Sequence, residues 1–213
     1  MGTATVIPQM PTTDQAIQQT RYWLDTAVIG LGFCPFAGPV HARGLVHFVV
    51  STARSETELE SDLIDELLRL QSTSSNVIET TLLIHPWVLN HFPDFNEFLE
   101  VADHLLEVNG FVGEFQVASF HPDYQFAGLP PDDITHFTNR SPFPTLHLLR
   151  ESSVTRAVAS MPDIDSIIAN NQATLHQLGR PGWAALRIGQ CPMKPASDTP
   201  DCESGEPCKS DLP

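Results

Sequence analysis

The body of this sequence has no lysine. Of 213 residues, the only two lysines, Lys194 and Lys209, lie in the last 20, which leaves nine arginines as the cations of everything before them. A Walker A phosphate loop, a pyridoxal-phosphate Schiff base and a Ser-Lys dyad each require a lysine in the folded domain, so all three are excluded. Basic charge is scarce altogether. With 26 acidic residues against 11 basic ones, the net charge is −15. That balance argues against nucleic acid and against an anionic membrane surface, since both are bound by neutralising phosphates. Long apolar runs are missing too: stretches such as Leu82–Ile84 and Leu45–Val50 fall far short of the roughly 20 residues a membrane helix needs, so a soluble chain is expected. The segment Met1–Ile7 has no basic region followed by an apolar one, and Val6 stands where myristoylation needs Ser or Thr. Cysteine is sparse: Cys34 serves the body, and Cys191, Cys202 and Cys208 crowd the end. Such spacing is neither a disulfide framework nor a standard zinc pattern, and a reducing, cytoplasmic compartment is the expectation.

What is present is enough for a core, since 41% of the residues are hydrophobic. Residues 1–12 are polar and proline-containing, and residues 190–213 hold five prolines and five acids with almost no large apolar side chain, so both read as disordered tails. Between them, 13–189 reads as a single α/β domain. Thr12 or Thr13 caps a helix with Ile17, Leu24, Ala27, Val28 and Leu31 at helical spacing, ending near Gly30 and Gly32. Leu45 to Ser51 reads as a buried strand. Ser55 and Glu58 form a capping box ahead of Leu59, Leu63, Ile64, Leu67, Leu68 and Leu70.

A second strand follows at Thr80 to His85, then a helix opened by Asp94 and Glu97 and closed by Asn109-Gly110, then a third strand at Glu114 to Phe120. This β-α-β-α-β core predicts a layered, mostly parallel sheet of three to five strands with flanking helices. Residues 122–144 show no period and form a long irregular loop. A short strand at Leu146 to Arg150, a helix from about Ser153, and a last helix capped by Asp163 and stopped at Gly179 complete the chain.

Three histidines stand out by topology. His85-Pro86 ends the second strand and His121-Pro122 the third, and proline turns each chain out of the sheet at once. If the two strands run parallel, both imidazoles reach the carboxyl edge, where ligands of α/β sheets bind. His147 and Glu151, at i and i+4, face the same side whether that segment is helix or extended, and so are expected to join them. His121, His147 and Glu151 are therefore candidate acid–base groups. His85, His121 and His147 are candidate ligands of a divalent metal such as zinc or iron. The plainer alternative is that strand-end histidines cap loops by hydrogen bonding.

A second constellation is Asn139-Arg-Ser-Pro-Phe-Pro-Thr-Leu-His-Leu-Leu-Arg-Glu151. Arg140, Arg150 and Arg156 fall within a stretch whose one acid is Glu151, whereas residues 54–107 carry 12 acids and two arginines. Guanidinium forks grip carboxylate or phosphate, so Asn139, Arg140, Ser141 and Arg150, with Tyr124 nearby, are candidate contacts for a small anion. Alternatively, these arginines pair with Glu151, Asp132 and Asp133 and pin the loop. Cys34, between Phe33 and Phe36 with no cation near it in sequence, reads as a small buried hydrophobe.

Three of these stretches carry a resemblance. Gly-Leu-x-x-Cys-Pro-Phe-Ala within Trp23 to Ala37, Phe120-His-Pro-x-Tyr-x-Phe126, and Asn139-Arg-Ser-Pro-x-Pro-x-x-His-Leu-Leu-Arg-Glu151 resemble the bacterial and plastid family catalogued as domain of unknown function 1415. The resemblance spans roughly residues 14–180 and implies a site in these stretches without implying an activity. The leading expectation is an enzyme acting on a small anionic metabolite. Its rival is a non-catalytic ligand-binding or protein-interaction domain in which the histidines and arginines are structural.

Overall fold

The computed structural model describes residues 10–160 and 165–190. The expected cap at Asp163, the three cysteines of the C-terminal segment and nearly all of both expected tails lie outside them. In chain order the elements are α1 (Thr13–Trp23), α2 (Ala37–Ala42), β1 (Val46–Val50), α3 (Glu56–Ser72), β2 (Thr80–Ile84), α4 (Phe92–Val108), β3 (Phe115–Phe120), β4 (Thr145–Arg150), α5 (Glu151–Ala159) and α6 (Asp165–Ala185). A π-helical turn (Leu24–Ile29) extends α1, and a 3-10 turn (Ile134–Thr138) sits inside the long loop.

Local chemistry sets most boundaries. Thr12 caps α1 in a true capping box with Gln15. At α3 the box is displaced: Ser55 Oγ accepts from Glu58 N, but Glu58 turns its carboxylate back to the amide of Arg54 instead of Ser55. α4 begins two residues ahead of Asp94, with Pro93 in its first turn, where a missing N–H is harmless. At its far end Gly110 takes φ 75°, the left-handed conformation that ends helices. α6 is broken at Gly179 (φ 62°, ψ 173°) and resumes through Pro181.

The sheet order is β1-β2-β4-β3. β1 and β2 pair in parallel, and β4 pairs antiparallel with both β2 and β3. The sheet is therefore mixed, which corrects the expectation of a mostly parallel one. β1, β2 and β3 do share one direction, as their connecting helices require, but the chain returns after the long loop and inserts β4 between β2 and β3. The short strand expected at Leu146 to Arg150 is found at Thr145–Arg150, but sequence pattern carries no information about which neighbour that strand chooses.

Leu83, Leu146 and Leu148 meet α3 and α4 on one face of the sheet, with Leu59, Leu63, Leu67 and Leu70 fully buried at helical spacing. Burial of each such leucine contributes about 1.5–3 kcal/mol. Phe48, Leu82 and Ile84 meet α1, the π turn and Leu175 of α6 on the other. Cys34 packs at the margin of this second core as a free, partly buried thiol.

Arg150 ties the end of β4 to the end of α3 and to the turn that leads into β2. Its Nη2 donates to Leu70 O (2.6 Å), Thr73 O (2.7 Å) and Ile78 O (3.1 Å), placing a cation on the C-terminal carbonyls of α3, where the helix dipole is negative. Arg150→Ala leaves these acceptors without their donor and should cost about 3 kcal/mol of unfolding free energy in a denaturant titration, with Arg150→Lys restoring only part. A loss below about 0.5 kcal/mol, the level of ordinary surface substitutions, would show that the clamp is unimportant.

Candidate functional site

His85 and His121 leave the carboxyl ends of β2 and β3 on the same edge of the sheet, and both are fully buried. Their backbones are tied to the segment that feeds β4: His85 N donates to Pro144 O (3.0 Å) and His121 N to Asn139 O (3.2 Å). Their rings flank Phe95, at centroid distances of 5.6 Å and 5.1 Å. Each ring also holds the turn after β2. His85 Nδ1 lies 3.1 Å from Val88 O and His121 Nε2 lies 3.2 Å from Leu89 O, so each of these nitrogens carries the proton and donates. Leu89 has φ 56°, and the two imidazoles anchor the carbonyls on either side of that strained residue's peptide.

The remaining lone pairs differ. His121 Nδ1 accepts from Asp123 N at 3.0 Å, so both its nitrogens are used. His85 Nε2 is buried with no hydrogen-bond partner among the described residues. Desolvation lowers both pKa values, that of His85 to about 4. Both rings are therefore neutral at pH 7.

His147 stands elsewhere. It is the middle of β4, opposite Leu82 and Ala118, and so faces α1 and α6, whereas the ring of His121 packs against Phe92 and Phe95 of α4 on the other side. Thr80 Oγ1 gives its proton to Leu148 O (2.6 Å), so His147 Nε2, 2.8 Å away, must be the donor in their contact. Burial holds His147 at a pKa of about 4. Among the described residues no group of three or more His, Cys, Asp or Glu side chains is placed to hold a metal ion. His85, His121 and His147 are accordingly not brought into one donor set.

The arginine segment is divided in the same way. β4 spans the sheet, so Asn139, Arg140 and Ser141 lie at the His85–His121 edge while Arg150 and Glu151 lie at the opposite one. Glu151 opens α5, beside a shallow depression of about 580 Å³ with Ser75, Ser152, Thr155 and Arg156. The strand ends at Arg150 and the helix begins at Glu151, so the i, i+4 spacing from His147 crosses a junction where neither periodicity applies. Arg150 is committed to the carbonyls of α3, and Arg156 reaches Ser153 Oγ (2.9 Å) and Glu79 (3.5 Å). Ser141 is buried with its hydroxyl donated to Phe143 O (2.6 Å).

Arg140 is the exception. Its Nε donates to Tyr124 O (3.2 Å) and its guanidinium lies 4.5 Å from the centroid of Phe137. Neither Nη has a hydrogen-bond acceptor or carboxylate partner among the described residues. Desolvation pushes its pKa down, Asp123 acts in the opposite direction, and the neighbouring Arg180 adds to the depression. Arg180, beyond the break in α6, approaches the same ring at 5.8 Å and donates to Asp132 O. Tyr124 completes the corner against Phe92 and Phe126, at 5.2 Å and 5.0 Å. Burial raises its pKa while hydrogen bonding with Asn139 and Ser119 opposes the rise.

The family described as "Protein of unknown function (DUF1415)" matches residues 15–185. The chain belongs to this family. No curated protein and no solved structure matches the chain. In this DUF1415 chain the site therefore rests on its own geometry.

Two participants escaped the sequence reading. His136 is fully buried, with Nδ1 accepting from Phe126 N (3.1 Å) and Nε2 donating to Pro130 O (2.8 Å), so it braces the loop beneath Tyr124. A histidine inside an aperiodic segment gives no topological cue. Arg180 comes from 40 residues beyond Arg140 and meets it only because α6 packs on the 3-10 turn.

The neutral histidines set an acid limit on stability. Below their unfolded pKa, near 6.5, the unfolded chain binds protons that buried His85 and His147 accept only near pH 4. Stability is complete above about pH 6.5 and falls as pH drops toward about 4. Denaturant titrations from pH 7.5 to 4.5 should show this decline, with a shallower slope in His147→Gln; an unchanged slope would overturn this account.

Proposed function

We propose that this protein binds a small anion, phosphate- or carboxylate-bearing, at Arg140 on the carboxyl edge of the sheet. The observation that carries this reading is the half-buried guanidinium of Arg140. It is oriented by Tyr124 O and by the ring of Phe137, and neither of its Nη groups has a hydrogen-bond or close carboxylate contact among the described residues, Asp123 acting only at longer range. A desolvated cation without a bound carboxylate is costly, and an incoming anion relieves that cost through charge-assisted, bidentate hydrogen bonds. Arg180 adds a second positive charge next to the same ring, and Asn139 and Tyr124 supply neutral polar groups.

Of the two readings open at the outset, a ligand-binding domain accords better with these side chains than histidine acid–base catalysis. The protons and lone pairs of His121 are both committed to the backbone, and His147 is turned to the other face of the sheet. A binding role needs only the arginine corner. The turn and the strand ends then act as its frame.

The test is a thermal melt of the full chain at constant ionic strength, with chloride replaced stepwise by inorganic phosphate or by succinate. One of the two should raise the transition temperature, by an amount equivalent to about 2.7 kcal/mol at 100 times its dissociation constant. Arg140→Met should abolish the shift while preserving the fold. No response to either anion, or an equal response in Arg140→Met, would refute the assignment.

A further inference from the structure

β1 is an outer strand of the sheet, and its free side is unpaired among the described residues. Leu45 O accepts from Glu79 N (2.9 Å) and Ser51 N donates to Ile84 O (2.8 Å), so the odd-numbered residues turn their peptide groups toward β2. Val46, Phe48 and Val50 then point theirs outward, where no backbone or side-chain partner meets them among the described residues. The strand reads Val-His-Phe-Val-Val, with high β propensity, no proline and no carboxylate or guanidinium. Exposed edges are normally blunted by charge, proline or a covering element.

Alongside this edge runs a stripe of α3 that is charged where its neighbouring stripe is leucine. Asp62, Asp65, Glu66 and Arg69 stand at i, i+3, i+4 and i+7 and, with Ser51 and Thr52, border a cavity of about 180 Å³. Asp62 accepts from Ser51 Oγ at 2.5 Å. Glu66 is only 6% exposed. Arg69 Nε bonds its Oε1 at 3.1 Å, whereas its Oε2 is buried without a hydrogen bond among the described residues and has His47 Nε2 at 3.5 Å. Three carboxylates against one guanidinium and the imidazole of His47 leave the cavity net acidic, and Glu66 Oε2 keeps an unfilled acceptor position there.

We propose that the outer edge of β1 takes up an extended peptide as a fifth strand, with one lysine or arginine side chain of that peptide seated among Asp62, Asp65 and Glu66. In β-strand addition, main-chain hydrogen bonds provide affinity and pockets beside the edge read alternate side chains. Val46, Phe48 and Val50 supply the first, and the acidic cavity next to Val49 supplies the second. A second copy of this chain is a poor occupant, because it brings its own charge of −15 to an already acidic rim.

The experiment uses the full chain and two fluorescein-labelled peptides, Ser-Thr-Val-Thr-Lys-Thr-Val-Thr-Ser and its counterpart with Glu at the centre. Anisotropy should show the lysine peptide binding at least about tenfold more tightly. Asp65→Lys, at an exposed position, and Glu66→Gln should each weaken it by about fivefold or more. Amide shifts should centre on Val46, Phe48 and Val50. Equal binding of the two peptides, no saturable binding, or shifts elsewhere would overturn the proposal. So would a concentration-dependent dimer that protects the β1 amides, which would make the occupant a second copy. Protection of those amides in the free monomer would equally sink it, since the chain would then cover its own edge.

Discussion

The insertion of β4 between β2 and β3 is the constraint on which the rest of the structure depends. Its register sets Thr145 beside Ile84 and Phe120 and Arg150 beside Phe115. One strand thereby carries a single stretch of sequence from the carboxyl edge of β2 and β3 to the far end of the sheet. Arg140 is left at the histidine edge, Arg150 is delivered to the carbonyls of α3, and His147 is fixed in mid-sheet with its ring toward α1. β2, now flanked on both sides, is buried along its entire length, which its unbroken apolar and threonine composition permits.

Buried imidazoles serve this arrangement chiefly as neutral hydrogen-bonding groups. His85 and His121 hold the turn at Val88 and Leu89, His136 holds the loop at Phe126 and Pro130, and His147 pairs with Thr80 across the sheet. Each ring places one N–H against a fixed acceptor, and for His85, His121 and His147 desolvation also opposes protonation. Arginine does the complementary work: Arg150 and Arg180 close on backbone carbonyls, while Arg140 is positioned but not consumed. In a chain with no lysine before residue 194, such a guanidinium is a natural place for an anion to meet positive charge.

Much of the fold was legible along the chain. The leucine stripe of α3, Thr12 before α1 and Gly110 after α4 are local signals, and they placed the helices to within a few residues. The shared direction of β1, β2 and β3 follows from the helices between them. Insertion of β4 did not follow, because the alternation of Leu146, His147 and Leu148 suits any position with two buried faces. The candidate site was half legible. Strand-end prolines located His85 and His121 at one edge, and charge scarcity drew attention to Arg140. The same reading placed Arg150 and Glu151 beside them, because proximity along a chain is a poor guide to proximity in space once a strand intervenes.

By itself the sequence determined the charge, the exclusion of lysine chemistry, the element types and the apolar faces, since these depend on residue identity and on periods of 2 and 3.6. Only the tertiary structure decided which of those elements are neighbours. Neighbour choice is made by long-range pairing and packing, so it alone could bring Arg180 to Arg140, turn His147 away from His121, and set β1 at the outside of the sheet next to the acids of α3.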